Sequence, residues 1–127
     1  MGKNLYITTA IPYANAKPHI GNALDYLLAD IWSRYQKQNG RAVRFQVGTD
    51  EHGNKIAAKA AEAGLQPKAY TDQMVGNFVT LMQKVGAEYT DFVRTTDDHH
   101  VAAVQWIWQQ LAPLKLSVPF LHCMYDH

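Results

Sequence analysis

The hydrophobic period along this chain switches back and forth between two residues and about 3.6, and turn formers mark most of the switches. Leu5 to Thr9 is a β-branched and aromatic run that reads as a strand, and Pro12 stops it. From Ile20 the apolar positions Ile20, Leu24, Leu27, Leu28, Ile31 and Tyr35 fall at helical spacing, up to the stop signal Asn39-Gly40. Val43, Phe45 and Val47 then alternate with Arg44 and Gln46, a second strand ending near Gly48. Lys55 to Ala63 is an alanine-rich helix closed by Gly64. Pro67 opens another, whose buried face is Tyr70, Met74, Phe78, Leu81, Met82 and Val85, up to Gly86. Asp91 to Arg94 is a short third strand. Thr96 is the expected N-cap of a last helix with Val101, Val104, Trp108 and Leu111 on one side and Pro113 as breaker. Trp108 reads as core and Trp106 as exposed or covered by something absent here.

Strands alternating with helices predict an α/β layer structure with a largely parallel sheet and crossover helices packed on it. With 127 residues the ceiling is one domain, and Ala112 to His127, with two prolines and no period, is too short for the second half of a doubly wound fold. Lys and Arg total 12 against 11 Asp and Glu, so no basic surface announces nucleic-acid binding. Cys123 is the single cysteine, which excludes a disulfide within the chain and a multi-cysteine zinc site. Met1 to Asn4 leads into only a short apolar run, with neither a signal-peptide core nor a span of about 20 apolar residues. A soluble, cytoplasmic protein without membrane contact is expected.

The chemistry concentrates between the first strand and the first helix, in Pro12-Tyr13-Ala14-Asn15-Ala16-Lys17-Pro18-His19-Ile20-Gly21-Asn22. The carboxyl end of a parallel strand faces the cleft of such folds, and a helix start offers unpaired N–H groups to a phosphate. Gly21 lacks a Cβ and would let a flat ring or phosphate approach the first turn. His19 and Asn22, three apart, would project from one face as two donors toward one anion. The same residues also suit a plain helix start, with His19 an ordinary first-turn histidine, Gly21 a packing glycine and the prolines turn residues.

This segment resembles the HIGH signature of class I aminoacyl-tRNA synthetases, and Pro12-Tyr13-Ala14-Asn15 resembles its methionyl-tRNA synthetase version. Phe45-Gln46-Val47-Gly48-Thr49-Asp50-Glu51-His52-Gly53 is similar to that family's GTDEHG segment, where leucine, isoleucine and valine enzymes differ. Arg94-Thr95-Thr96-Asp97-Asp98-His99-His100 is a third resembling block. The resemblance implies a Rossmann-like, HUP-type parallel sheet with flanking helices. Residues 1–111 would be the N-terminal half of the class I synthetase catalytic domain, and 112–127 a tail without family resemblance.

The family activates methionine with ATP: the carboxylate attacks the α-phosphate, pyrophosphate leaves, and the methionyl adenylate transfers to tRNA(Met). On that resemblance His19 and Asn22 would be the catalytic, ATP-contacting pair and Gly21 would leave room for the nucleotide. Asp50 would take the methionine ammonium, while Ala10, Ile11 and Tyr13 would line the methionine pocket. Mg2+ is expected with the ATP. Where the signature usually ends in a second histidine this chain has Asn22, which can donate but not become cationic, implying a weakened rather than a dead site.

Without the resemblance, Asp50 reads equally as a solvated loop carboxylate and Tyr13 as a core aromatic. Asp50, Glu51 and His52, being consecutive, cannot all point at one ion, and His99-His100 reads as a helix-start pair. His122, Cys123, Asp126 and His127 match no closed zinc spacing, so no metal site is expected. The family's zinc insertion, KMSKS loop and anticodon domain are not recognisable beyond Leu111, and the loss of pattern there is what a frameshift or early stop would give, an authentic short protein being the alternative. Half a cleft implies little or no activity for the isolated chain. The competing readings are a non-catalytic adenine-nucleotide or methionine-binding module, a half-enzyme needing a separate C-terminal half, and an unrelated phosphate-binding protein.

Overall fold

A computed structural model describes residues 4–112, which fall into two compact units divided between Thr96 and Asp97. In the first, the order is β1 (Leu5–Thr8), α1 (Ile20–Gln38), β2 (Val43–Thr49), α2 (Asn54–Glu62), α3 (Pro67–Val85) and β3 (Asp91–Arg94). The second contains α4 (Asp98–Leu111). The expected tail and its His122, Cys123, Asp126 and His127 lie outside the described residues, apart from Ala112.

The sheet is parallel throughout, in the order β1-β2-β3. Leu5 pairs with Val43 at one end, and Thr49 pairs with Arg94 at the other. Right-handed crossovers taken in one direction place their helices on one face, and the main core shows that outcome. Tyr26 of α1, Phe45 and Val47 of β2, and Phe78 and Met82 of α3 form a single cluster, with Ile7 and Phe92 packed against it. A fully buried Phe such as Phe45 or Phe78 contributes about 2 kcal/mol of transfer free energy. A second cluster, Ala14, Ile56, Ala60, Tyr70 and Met74, ties α2 and the start of α3 to the loop after β1. The Tyr70 hydroxyl anchors that loop by donating to the Asn15 carbonyl at 2.9 Å. The expected Rossmann-like sheet with flanking helices is therefore present, and of the expected α3 stripe Tyr70, Met74, Phe78 and Met82 are buried, Leu81 and Val85 only half-buried, with Thr71 buried beside them.

Three expectations change. The α1 stripe with helical spacing does not face the sheet: Ile20 is 86% exposed, and Leu24, Leu28, Ile31 and Tyr35 are each more than half exposed. The buried side is Ala23, Tyr26, Asp30, Ser33 and Gln36. Small residues let the helix sit close to the strands, and Asp30 binds two groups. It receives Arg34 Nε at 2.6 Å and the Glu88 N–H at 2.9 Å, which pins the turn after α3. The N-cap of α4 is Asp97, not Thr96, because the Thr96 hydroxyl is occupied by the Glu51 carboxylate. Within α4, Trp106 is exposed, while Trp108 is half-buried rather than core.

Candidate functional site

The loop after β1 is joined to the carboxyl edge of the sheet through its backbone. Tyr13 and Asp50 form a parallel bridge beyond the named strands, with Asp50 N–H donating to the Pro12 carbonyl at 2.9 Å and Ala14 N–H to the Asp50 carbonyl at 2.8 Å. Gly48 and Gly53 permit this approach. A Cβ on Gly48 would run into the Val93 carbonyl and lie 3.3 Å from Ile11 Cγ2. One on Gly53, whose φ is +113°, would come to 2.7 Å from the Tyr13 hydroxyl.

His19 is the N-cap of α1. Its Nδ1 accepts the Gly21 N–H at 3.1 Å, and Asn22 Oδ1 accepts the His19 N–H at 3.0 Å, a reciprocal capping box. An accepting Nδ1 places the proton of the neutral ring on Nε2, and Asn22 keeps its Nδ2 donors. The two side chains therefore each build the helix start with one atom and retain a donor on another. Gly21 has a second role here. A Cβ there would meet His19 Nδ1 and Cε1 at 3.0 Å, so the glycine makes room for the capping ring as well as for any ligand.

A cavity of about 240 Å³ opens at this point, lined by Pro12, Tyr13, Asn15, Ala16, Lys17, His19, Asn22 and Phe78. Of the predicted site residues it gathers Tyr13, His19 and Asn22. Asp50 is half-buried and joined to it through the Tyr13 bridge, while Ala10 and Ile11 are exposed at the end of the first strand. Basic Lys17 and the positive end of the α1 dipole favour an anion, and a carboxylate at Asp50 favours a cation.

Sequence reasoning missed the group beside Asp50. Glu51 is buried, its side chain wholly so, and its carboxylate receives Arg94 Nε and Nη2 at 2.6 and 2.7 Å. It also receives the Thr49 hydroxyl at 2.6 Å and the Thr96 hydroxyl at 2.7 Å. Burial pushes the carboxyl up, but the hydrogen bonds from Arg94, Thr49 and Thr96 outweigh it and hold it below its ordinary range. Arg94 is raised in turn by its bonds to Glu51 and Asp72. The signal available in the sequence was topological: in a parallel sheet, Thr49-Asp50-Glu51 and Arg94-Thr95-Thr96 follow neighbouring strands to the same end.

Residues 5–116 match the family model described as tRNA synthetases class I (M). The chain belongs to the methionyl group of the class I tRNA synthetases. It is 48% identical over 109 residues to the methionine--tRNA ligase of Mycoplasma pneumoniae, covering 86% of this chain and 21% of that one. To the methionine--tRNA ligase of Clostridium tetani it is 46% identical, covering 86% and 17%. Among solved structures it is similar to the Mycobacterium tuberculosis methionyl-tRNA synthetase bound by methionyl-adenylate, with a TM-score of 0.85 and 37% identity over 87% of this chain and 22% of that one. The chain thus spans about a fifth of the length of the ligases it matches.

Proposed function

We propose that this chain carries the methionine-binding and ATP-binding first part of a methionine--tRNA ligase catalytic domain. The parent reaction is activation of methionine to methionyl adenylate, followed by transfer to tRNA(Met). The observation that carries this reading is the cavity at the start of α1 on which Tyr13, His19 and Asn22 converge, tied by backbone to Asp50. The solved relative in complex with methionyl-adenylate supports it.

In this reading Asp50 fixes the methionine ammonium, and Ala10, Ile11 and Tyr13 wall the side chain. The methionine carboxylate attacks the α-phosphate in line and pyrophosphate departs. His19 Nε2–H, the Asn22 amide and the positive end of α1 stabilise the charge that gathers on the phosphate oxygens, and Gly21 admits the nucleotide. Catalysis is placement and electrostatics, with no covalent intermediate on the protein. Mg2+ would enter with the ATP, bound to its phosphates. No described helix is long and apolar enough to cross a membrane. A cytoplasmic setting follows from the reaction proposed.

A half-enzyme is the second reading, and the outward apolar face of α1 favours it, since a helix apolar on the side away from its own sheet is one that further polypeptide covers. Methionine-dependent ATP–pyrophosphate exchange tests both, on the chain alone and with the polypeptide matching the remainder of the relatives. Methionine binding by the chain, with exchange appearing on complementation, supports the proposal. Preference for leucine or valine over methionine defeats it.

A further inference from the structure

Asp50 and Glu51 are adjacent carboxylates with opposite fates. Asp50 is half-buried, and its side chain receives one long bond from the His52 N–H at 3.4 Å. Glu51 turns inward and accepts four hydrogen bonds. Its backbone is held as firmly: Glu51 N–H donates to the Thr95 hydroxyl at 2.9 Å, and Thr95 N–H donates to the Thr49 carbonyl at 3.2 Å. His52 Nε2 lies 3.2 Å from the Thr95 carbonyl, and Arg94 Nη2 reaches Asp72 of α3 at 2.6 Å.

Asp50 therefore stands between two clamps. On one side its peptide groups bond Pro12 and Ala14 of the cavity loop, and on the other the next residue is locked to the loop after β3. A buried carboxylate is costly unless every lone pair is satisfied, and here the satisfying groups come from β2, β3 and the start of the following loop. Such a pair does little for net stability compared with an apolar one of like volume. What it does fix is geometry, and it neutralises the second charge so that a cation at this edge of the sheet meets one carboxylate.

We infer that Glu51, held by Arg94, is a positioning residue that aims Asp50 at the amino-acid ammonium and withholds its own carboxylate from that role. The inference rests on the methionine site proposed above. Its structural half, the clamping of Asp50, stands apart from ligand identity.

Three measurements on the full chain test it. In amide hydrogen exchange, Glu51→Gln lowers protection at Asp50, Glu51 and Thr95 about tenfold or more, while Phe45 and Val47 in the core stay unchanged. In calorimetry with L-methionine, Glu51→Gln weakens binding about 10- to 100-fold through misplacement of Asp50. The double variant Glu51→Gln/Arg94→Gln leaves no charge of the Glu51–Arg94 pair buried and unpaired. It regains urea stability but not methionine affinity. Affinity that returns together with stability makes Glu51 merely structural and overturns the inference. Should wild-type chain fail to bind methionine, the site proposal fails, yet unchanged exchange at Asp50 in Glu51→Gln still decides against the clamp and lost protection for it. If Glu51→Gln does not fold, Thr96→Val strips one donor from the carboxylate and gives the same exchange test, with about a threefold effect expected and none overturning.

Discussion

Tyr13 and Asp50 are partners through their backbones and not through their side chains. The bridge between them continues the β1-β2 pairing past an irregular loop containing Pro12, so the cavity wall and the carboxylate share one rigid edge. Removing the Asp50 charge should therefore leave the fold alone. Asp50→Asn is expected to alter unfolding free energy in urea by less than about 0.5 kcal/mol, as for an ordinary half-exposed position. Methionine affinity should fall about 100-fold with loss of the ammonium's counter-charge, read by calorimetry.

His19 combines a cap with a donor, and substitution can separate them. His19→Ala loses the acceptor for the Gly21 N–H and should cost about 1 kcal/mol of stability as well as nucleotide binding. His19→Asn supplies a cap oxygen without Nε2, so thermal melting should match the parent chain within about 0.5 kcal/mol while ATP binding drops. Equal ATP affinity in the two His19 variants and the parent would remove His19 from the site.

Gly53 occupies φ +113° and ψ 164°, a region open to glycine almost alone. Gly53→Ala also drives a methyl into the Tyr13 hydroxyl. The expected cost is about 1–3 kcal/mol in urea unfolding. Gly40→Ala is the control: Gly40 too has positive φ, at 75°, but meets nothing within 4 Å, so its cost should be the smaller.

Tyr26 is buried in the main core, and its hydroxyl finds no partner among the described residues. Burial, helped by Asp25, pushes its phenol up to about 12 from an ordinary 10.0. Between those values the unfolded chain has released the proton and the folded one has not, so stability is complete below pH 10 and drains away as pH rises toward 12. Tyr26→Phe should raise stability at neutral pH by about 1 kcal/mol. It should also remove a slope of up to about 1.4 kcal/mol per pH unit in that alkaline window, measured by urea titration at stepped pH.

Order and kind of the elements were legible because they depend on local chemistry. Period two at Val43 to Val47, Pro67 at the first helical position and Gly86 in the left-handed region at φ 69° each act within a few residues. His19, Gly21, Asn22 and Asp50 were likewise visible as motif positions. Which side of α1 faces the sheet was not, because that helix carries two stripes. A hydrophobic pattern reports that a face will be covered, not that β1 and β2 will cover it. Tyr26, Ala23 and Asp30 won the sheet through close approach and the bonds of Asp30 to Arg34 and Glu88.

The amino-acid sequence by itself determined the strand and helix order, the capped start of α1 and the residue types at the cavity. The tertiary structure alone decided that Glu51 is sequestered and Asp50 presented. That choice needs Arg94, Thr95 and Thr96 from more than forty positions away, brought alongside by the parallel register of β2 and β3. A carboxylate's fate is set by the donors that reach it, and no local pattern encodes their arrival.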